Sequence, residues 1–173
     1  MPTIGVAVAV PEPHGERLRR LRAGFGDSLA AAIPTHITLL PPTDVDEQQY
    51  AAVQDHLSEV ASAHDPFTVL LRGTGTFRPV SPVVFVQVAR GISDCEQLEK
   101  AIRRGPVRRE LEFGYHPHVT VAHHVDEASL DAAFEGLADY AAAFPVAGIE
   151  LYVHGDDGVW RTERTFPLGR APR

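Results

Sequence analysis

Apolar positions along the chain switch between two spacings. Residues 3–10, TIGVAVAV, form an apolar run of strand length. Residues 13–32 place Leu18, Leu21, Phe25 and Leu29 at three- and four-residue intervals, the spacing of a helix face. His36-Ile37-Thr38-Leu39 then reads as a short strand that Pro41-Pro42 should stop. Asp44 or Asp46 can cap a second helix ending near Ala63, and residues 66–77, PFTVLLRGTGTF, read as a long strand.

The second half repeats this order. Residues 83–88, VVFVQV, are a strand, and residues 93–104 a helix with Ser93 or Asp94 as its cap. His118-Val119-Thr120-Val121 opens a second short strand reaching His123, and Asp126 caps a helix to about Tyr140. The segments PVAGIELYVHG and VWRTERTFPL close the chain as a hairpin around Asp156-Asp157-Gly158. This duplicated order predicts an α+β fold of two lobes related by a pseudo-two-fold axis. Each lobe would hold a small, mostly antiparallel sheet with helices on its outer face. The halves would be residues 1–80 and 81–170 of a single domain spanning 1–173, with the cleft between the lobes.

The pattern His, apolar, Thr, apolar occurs twice, 82 positions apart. In a strand, residues i and i+2 share a face, so His36 and Thr38 stand about 6.6 Å apart on one side, at ~3.3 Å per residue. Ile37 and Leu39 point into the core, and the same reading holds for His118, Thr120, Val119 and Val121. Facing strands would line one groove with two imidazoles and two hydroxyls. In-line displacement at phosphorus needs a base for the nucleophile and an acid for the leaving oxygen, and histidine can serve as either near neutral pH. The Thr hydroxyls can donate to phosphoryl oxygens as charge builds. A strained five-membered cyclic phosphodiester needs less help than a monoester and can open without a metal. One such tetrapeptide is a common strand histidine; two at matching places in a repeated topology mark a site.

Composition narrows the partners. A chain of 173 residues with net charge −7 lacks the basic face of proteins that coat long nucleic acids, but a short nucleotide or RNA end in a locally positive pocket remains compatible. No apolar run is long enough for a membrane span and no basic region precedes the first apolar stretch, so no membrane or signal segment is expected. The single cysteine, Cys95, suits a reducing cytoplasm and reads as a helix-start residue rather than a nucleophile. No Walker A loop is present, so an ATP-driven ligase is not expected.

These residues resemble the 2H phosphoesterase superfamily, named for two His-x-Thr/Ser-x motifs, and within it the bacterial 2′-5′ RNA ligase-like and cyclic phosphodiesterase branch. Residues 113–121, FGYHPHVTV, look like that branch's second motif and its lead-in, and Phe77-Arg78-Pro79 before VVFVQV also fits. The resemblance implies hydrolysis of a 2′,3′-cyclic phosphate on an RNA end or small nucleotide to a 2′-phosphate, without metal or cofactor. His36 would be the acid, His118 the base, and Thr38 and Thr120 the phosphate donors. Any ligase activity would be this reaction reversed. Related second motifs often carry an Arg five positions after the histidine; here that place is His123, followed by His124, and strict alternation puts His124 on the face of His118.

Tyr115, His123, His124, Phe77 and Arg78 are the candidate substrate contacts. Phe77, Tyr115 and Trp160 are loop-adjacent aromatics able to stack on a base, Tyr115 foremost. Three converging histidines among His116, His118, His123 and His124 would bind zinc, but that reading leaves His36 and Thr38 unexplained. Arg103 and Arg104 read as a solvated helix end, while Arg108 and Arg109 stay open as phosphate contacts. His14, His56, His64 and His154 read as surface residues. Rival functions are a 2H enzyme for 2′-5′ oligoadenylate or ADP-ribose 1″,2″-cyclic phosphate, and a nucleotide- or RNA-binding module without turnover. A monomer is expected, since both halves of one chain supply the site.

Overall fold

The computed structural model describes residues 1–169. Its elements are β1 (Thr3–Ala9), α1 (His14–Gly24), β2 (His36–Asp44), α2 (Glu47–Ser62), β3 (Phe67–Thr76), β4 (Val83–Arg90), α3 (Ile92–Arg103), β5 (His118–His123), α4 (Glu127–Gly136), β6 (Ala141–Val146), β7 (Gly148–His154) and β8 (Trp160–Pro167). They form two antiparallel four-stranded sheets, ordered β2-β1-β7-β8 and β5-β4-β3-β6. One apolar core runs through both, from Ile4, Val6 and Ile37 to Val84, Val86 and Val119. The chain is thus an α+β, two-lobed fold, and among the described residues no helix is long and apolar enough to cross a membrane.

The sheets do not follow the division of the sequence at residue 80. β3 lies between β4 and β6, and β7 lies between β1 and β8. The first sheet therefore takes β7 and β8 from the second half of the chain, and the second sheet takes β3 from the first, so each has a central strand from the other half. The strands that hold the two tetrapeptides, β2 and β5, are both edges, and these edges pack against each other. α1 leans on β5 while α3 leans on β2, so each connecting helix touches the motif strand of the opposite lobe.

Several local expectations are corrected. The helix expected over 13–32 ends at Gly24; Gly26 turns the chain at φ +90, a conformation glycine reaches without Cβ strain, and Asp27 caps a separate 3₁₀ turn, Ser28–Ala31. Pro41-Pro42 does not stop β2. As an edge strand, β2 pairs only with β1, and the register shift opposite Gly5 passes the prolines without breaking a ladder on both sides. Asp46, not Asp44, caps α2, in a capping box with Gln49. Gly91 rather than Ser93 or Asp94 precedes α3. The last helix stops at Gly136, and an additional edge strand, β6, follows. The closing hairpin forms as expected around residues 155–159.

Candidate active site at the junction of β2 and β5

Both tetrapeptides open their strands and show the same burial sequence over six positions. His36 and Thr38 are half-buried, while Ile37, Leu39 and Leu40 are buried. His118 and Thr120 match them, with Val119, Val121 and Ala122 buried. The doubled apolar pair arises from the same irregularity. Ala7 faces Thr38 and Val6 faces Leu40, so Leu39 is bulged out of register. Phe85 faces Thr120 and Val84 faces Ala122, so Val121 is bulged likewise. Each bulge falls on the fourth residue of its motif and bends the strand just beyond the threonine.

The imidazoles are held alike. His36 Nδ1 lies 2.7 Å from the Pro34 carbonyl oxygen, and His118 Nδ1 lies 2.7 Å from that of His116. A carbonyl can only accept, so Nδ1 carries the hydrogen in each ring and Nε2 is left with its lone pair. Tyr152 meets the His36 ring edge-on at 6.3 Å. Phe77 and Phe85 stand against His118 at 5.0 and 5.2 Å. These walls fix the ring planes. They also lower both pKa values through loss of solvation. His36 falls to about 4, by burial first, with the charges of Arg22 and His118 adding to it against the Pro34 hydrogen bond. His118 shifts down as well, again chiefly by burial, against the hydrogen bond to the His116 carbonyl. Near neutral pH the free protein therefore presents two uncharged imidazoles. The hydroxyls of Thr38 and Thr120 have no protein partner among the described residues and are available to a ligand.

The other candidates divide. Tyr115 is not free to stack on a base with its hydroxyl exposed: that group donates to the Thr38 carbonyl at 2.7 Å, tying the second motif's lead-in to the first motif. Phe77 is packed at 4.5 Å on Phe85, behind His118. Arg78 donates through one terminal nitrogen to Glu127 and Asp131, both at 2.8 Å, and through Nε to Thr76, so its charge is committed to α4. The bulge at Val121 returns His123, not His124, to the polar side of β5. His124 sits beyond the strand with φ 59, its ring stacked on His123 at 3.6 Å. Trp160 borders the groove beside His36 and Thr38 and also a neighbouring cavity of about 290 Å³.

His56 and His64 are half-buried and engaged rather than free in solvent. His56 Nε2 meets the Ala101 carbonyl at 2.9 Å and His64 Nε2 meets Asp94 at 3.0 Å, latching α2 and the turn after it to α3. Cys95 is buried, and burial pushes its thiol up to about 12, which suits an inert packing residue. Arg103 pairs with buried Glu99 at 2.8 Å, and Arg103, Arg104, Arg108 and Arg109 rim a depression of about 370 Å³. Among the described residues no three His, Cys, Asp or Glu side chains converge as a metal site.

Sequence reasoning missed Arg22, Asp27, Phe85 and Tyr152, whose relevance depends on which elements lie against the motif strands. Arg22 lies in the last turn of α1, which packs on β5, and Asp27 caps the turn that follows; no spacing in the sequence announces them.

Comparison with known proteins agrees with this architecture. A provisionally named phosphoesterase of Bacillus cereus is 25% identical over 169 residues, covering 96% of this chain and 97% of that one. One from Halalkalibacterium halodurans is 28% identical over 168 residues, with coverage of 96% and 97%. Among solved structures, E. coli LigT complexed with 3′-AMP superposes with TM-score 0.68 at 16% identity, over 97% of this chain and 99% of that one. TT0787 of Thermus thermophilus gives 0.67 at 20% identity, over 98% and 100%. The model of the 2′-5′ RNA ligase superfamily matches residues 10–158. With that match spanning most of the chain, the protein belongs to the 2′-5′ RNA ligase superfamily of 2H phosphoesterases.

Proposed function

We propose that this phosphoesterase opens 2′,3′-cyclic phosphates at RNA ends or on small nucleotides, leaving a 2′-phosphate and a free 3′-hydroxyl, without a metal ion. The observation that carries the reading is the matched holding of His36 and His118. Each ring gives Nδ1–H to the carbonyl two residues back and keeps Nε2 for chemistry. One Nε2 takes the proton of a water molecule as its oxygen attacks phosphorus. The P–O3′ bond breaks on the opposite side, and the other ring, protonated at Nε2, gives its proton to the 3′ oxygen. Thr38 and Thr120 donate to the non-bridging oxygens, whose charge rises in the transition state.

The resemblance assigns His36 as acid and His118 as base. His36 is the harder of the two to protonate in the free protein, since its pKa lies at about 4. A bound phosphodiester supplies the missing counter-charge: its anion favours the imidazolium and offsets the positive charge of Arg22. The acid form is thus assembled by substrate. Solved LigT complexes with 3′-AMP and ATP show that protein with nucleotides, which supports a nucleotide ligand here. The single domain 1–173, its two halves contributing one motif each, is the proposed unit of function, acting as a monomer.

The test is hydrolysis of the four 2′,3′-cyclic nucleotides in EDTA, with the product identified by ³¹P NMR. A 2′-phosphate product that disappears in His36→Ala and His118→Ala supports the reading. A wild type inert toward all four, or active only after zinc is added, overturns it.

A further inference from the structure

The second motif lacks the cation that related motifs place five positions after the histidine, and His123 occupies that position. His123 is a poor replacement. Burial holds its pKa down, and His124, stacked on its ring at 3.6 Å, adds to that.

A permanent cation lies next to it. The Asp27 carboxylate is wholly buried, and its Oδ2 accepts from both Arg22 Nε, at 2.7 Å, and the His123 backbone N–H, at 3.0 Å. Its Oδ1 accepts from the Leu29 N–H at 3.0 Å. One oxygen thus holds the guanidinium of α1 against the strand position where the motif's cation is missing. Nε is the only nitrogen of Arg22 in that bond; neither terminal nitrogen meets a protein acceptor among the described residues, nor is either sealed from solvent. The side chain is only 11% exposed, so it is set in place rather than waving in water.

We propose that Arg22, anchored by Asp27, is the phosphate-binding cation of this site, offering its two terminal nitrogens to a phosphodiester or phosphate held between the two motifs. An arginine fixed along one edge still presents a two-donor fork that suits two phosphoryl oxygens. Arg22 stands close enough to His36 for its charge to act there, and the Asp27 oxygen that holds it also takes the His123 N–H of β5, which ties the guanidinium to both motif strands. Other arginines are engaged elsewhere: Arg78 with Glu127 and Asp131, Arg103 with Glu99. The assignment rests on the phosphoesterase reading above, but binding of phosphate is measurable without turnover.

Two measurements decide it. Inorganic phosphate affinity is determined by calorimetry for wild type, Arg22→Gln, Arg22→Lys and, as a control, Arg104→Gln, alongside their melting curves. Arg22→Gln should weaken phosphate at least ~10-fold while Arg22→Lys recovers part of the loss and Arg104→Gln none of it is lost. A folded Arg22→Gln that binds phosphate within about twofold of wild type would overturn the assignment. Because removing Arg22 strips the partner of buried Asp27, the second measurement uses the intact protein: a crystal of wild type soaked in phosphate. The anion on the terminal nitrogens of Arg22 supports the proposal; an anion elsewhere, or none, overturns it. If wild type binds phosphate through Arg22 yet hydrolyses no cyclic nucleotide, the reaction assigned above fails and this site stands.

Discussion

The Tyr115 hydroxyl donates a 2.7 Å hydrogen bond to the Thr38 carbonyl, joining residues 77 positions apart and with them the two motif strands. Burial raises the Tyr115 pKa well above its usual range, so the phenol stays a donor at any working pH. The bond connects the segment leading into His118 to the backbone beside His36, and it adds a directional tie to the packing of β2 against β5 that spaces the two imidazoles.

Tyr115→Phe should therefore act on both stability and rate. Loss of one such bond costs about 1 kcal/mol, which lowers the melting temperature by roughly 2–4 °C in a domain of this size. Slackened spacing should cut kcat/KM by up to ~10²-fold. A variant that melts lower but keeps wild-type kcat/KM would show that the contact holds the lobes without positioning the histidines.

Replacing either imidazole should remove its proton transfer. His36→Ala and His118→Ala should each lose ~10²–10⁴ in kcat/KM on a 2′,3′-cyclic nucleotide in EDTA. The double variant should be little slower than the worse single one, because acid and base act as a unit. Losses that multiply fully would mean two independent contributions.

The pH dependence follows from the two depressed pKa values. One ring must be neutral and the other protonated, whichever is which, so kcat/KM should be bell-shaped and limited by both titrations in the free protein. With His36 at about 4 and His118 below its ordinary 6.5, the maximum should fall on the acid side of 6.5. Stability runs the other way. Between about 6.5 and about 4 the unfolded chain binds a proton at His36 that the folded protein does not, so stability declines as pH falls through that window. His36→Asn should flatten that decline, as read by melting temperature at pH 7 and pH 4.5.

Arg78→Gln should leave KM for a cyclic nucleotide within about twofold, because its guanidinium is bound to Glu127 and Asp131 instead of a substrate. A large rise in KM would return Arg78 to the binding surface that its place before β4 suggests in sequence.

His36, Thr38, His118 and Thr120 were legible because their chemistry is local. Strand alternation puts each pair on one face, and the repeat of element order puts the two pairs in equivalent places. The bulges at Leu39 and Val121 were not legible, and they decide that His123 rather than His124 lies on the polar side. β6 was hidden by its composition: Ala141-Ala142-Ala143 has little strand preference, and Pro145 is tolerated only because that strand is an edge. Arg22 reads as one more cation on an amphipathic helix until α1 is seen lying on β5. Contacts between lobes depend on long-range pairing, which residue spacing does not record.

The placing of β3 and β7 has a consequence for descent as well as for architecture. A half-length polypeptide with one motif would hold a central strand that fits only the sheet of another copy. Such a chain would close its sheets as a strand-exchanged homodimer, and that dimer would already bring two His-x-Thr tetrapeptides edge to edge. Joining two such genes end to end would keep the two motif strands edge to edge while freeing the copies to diverge.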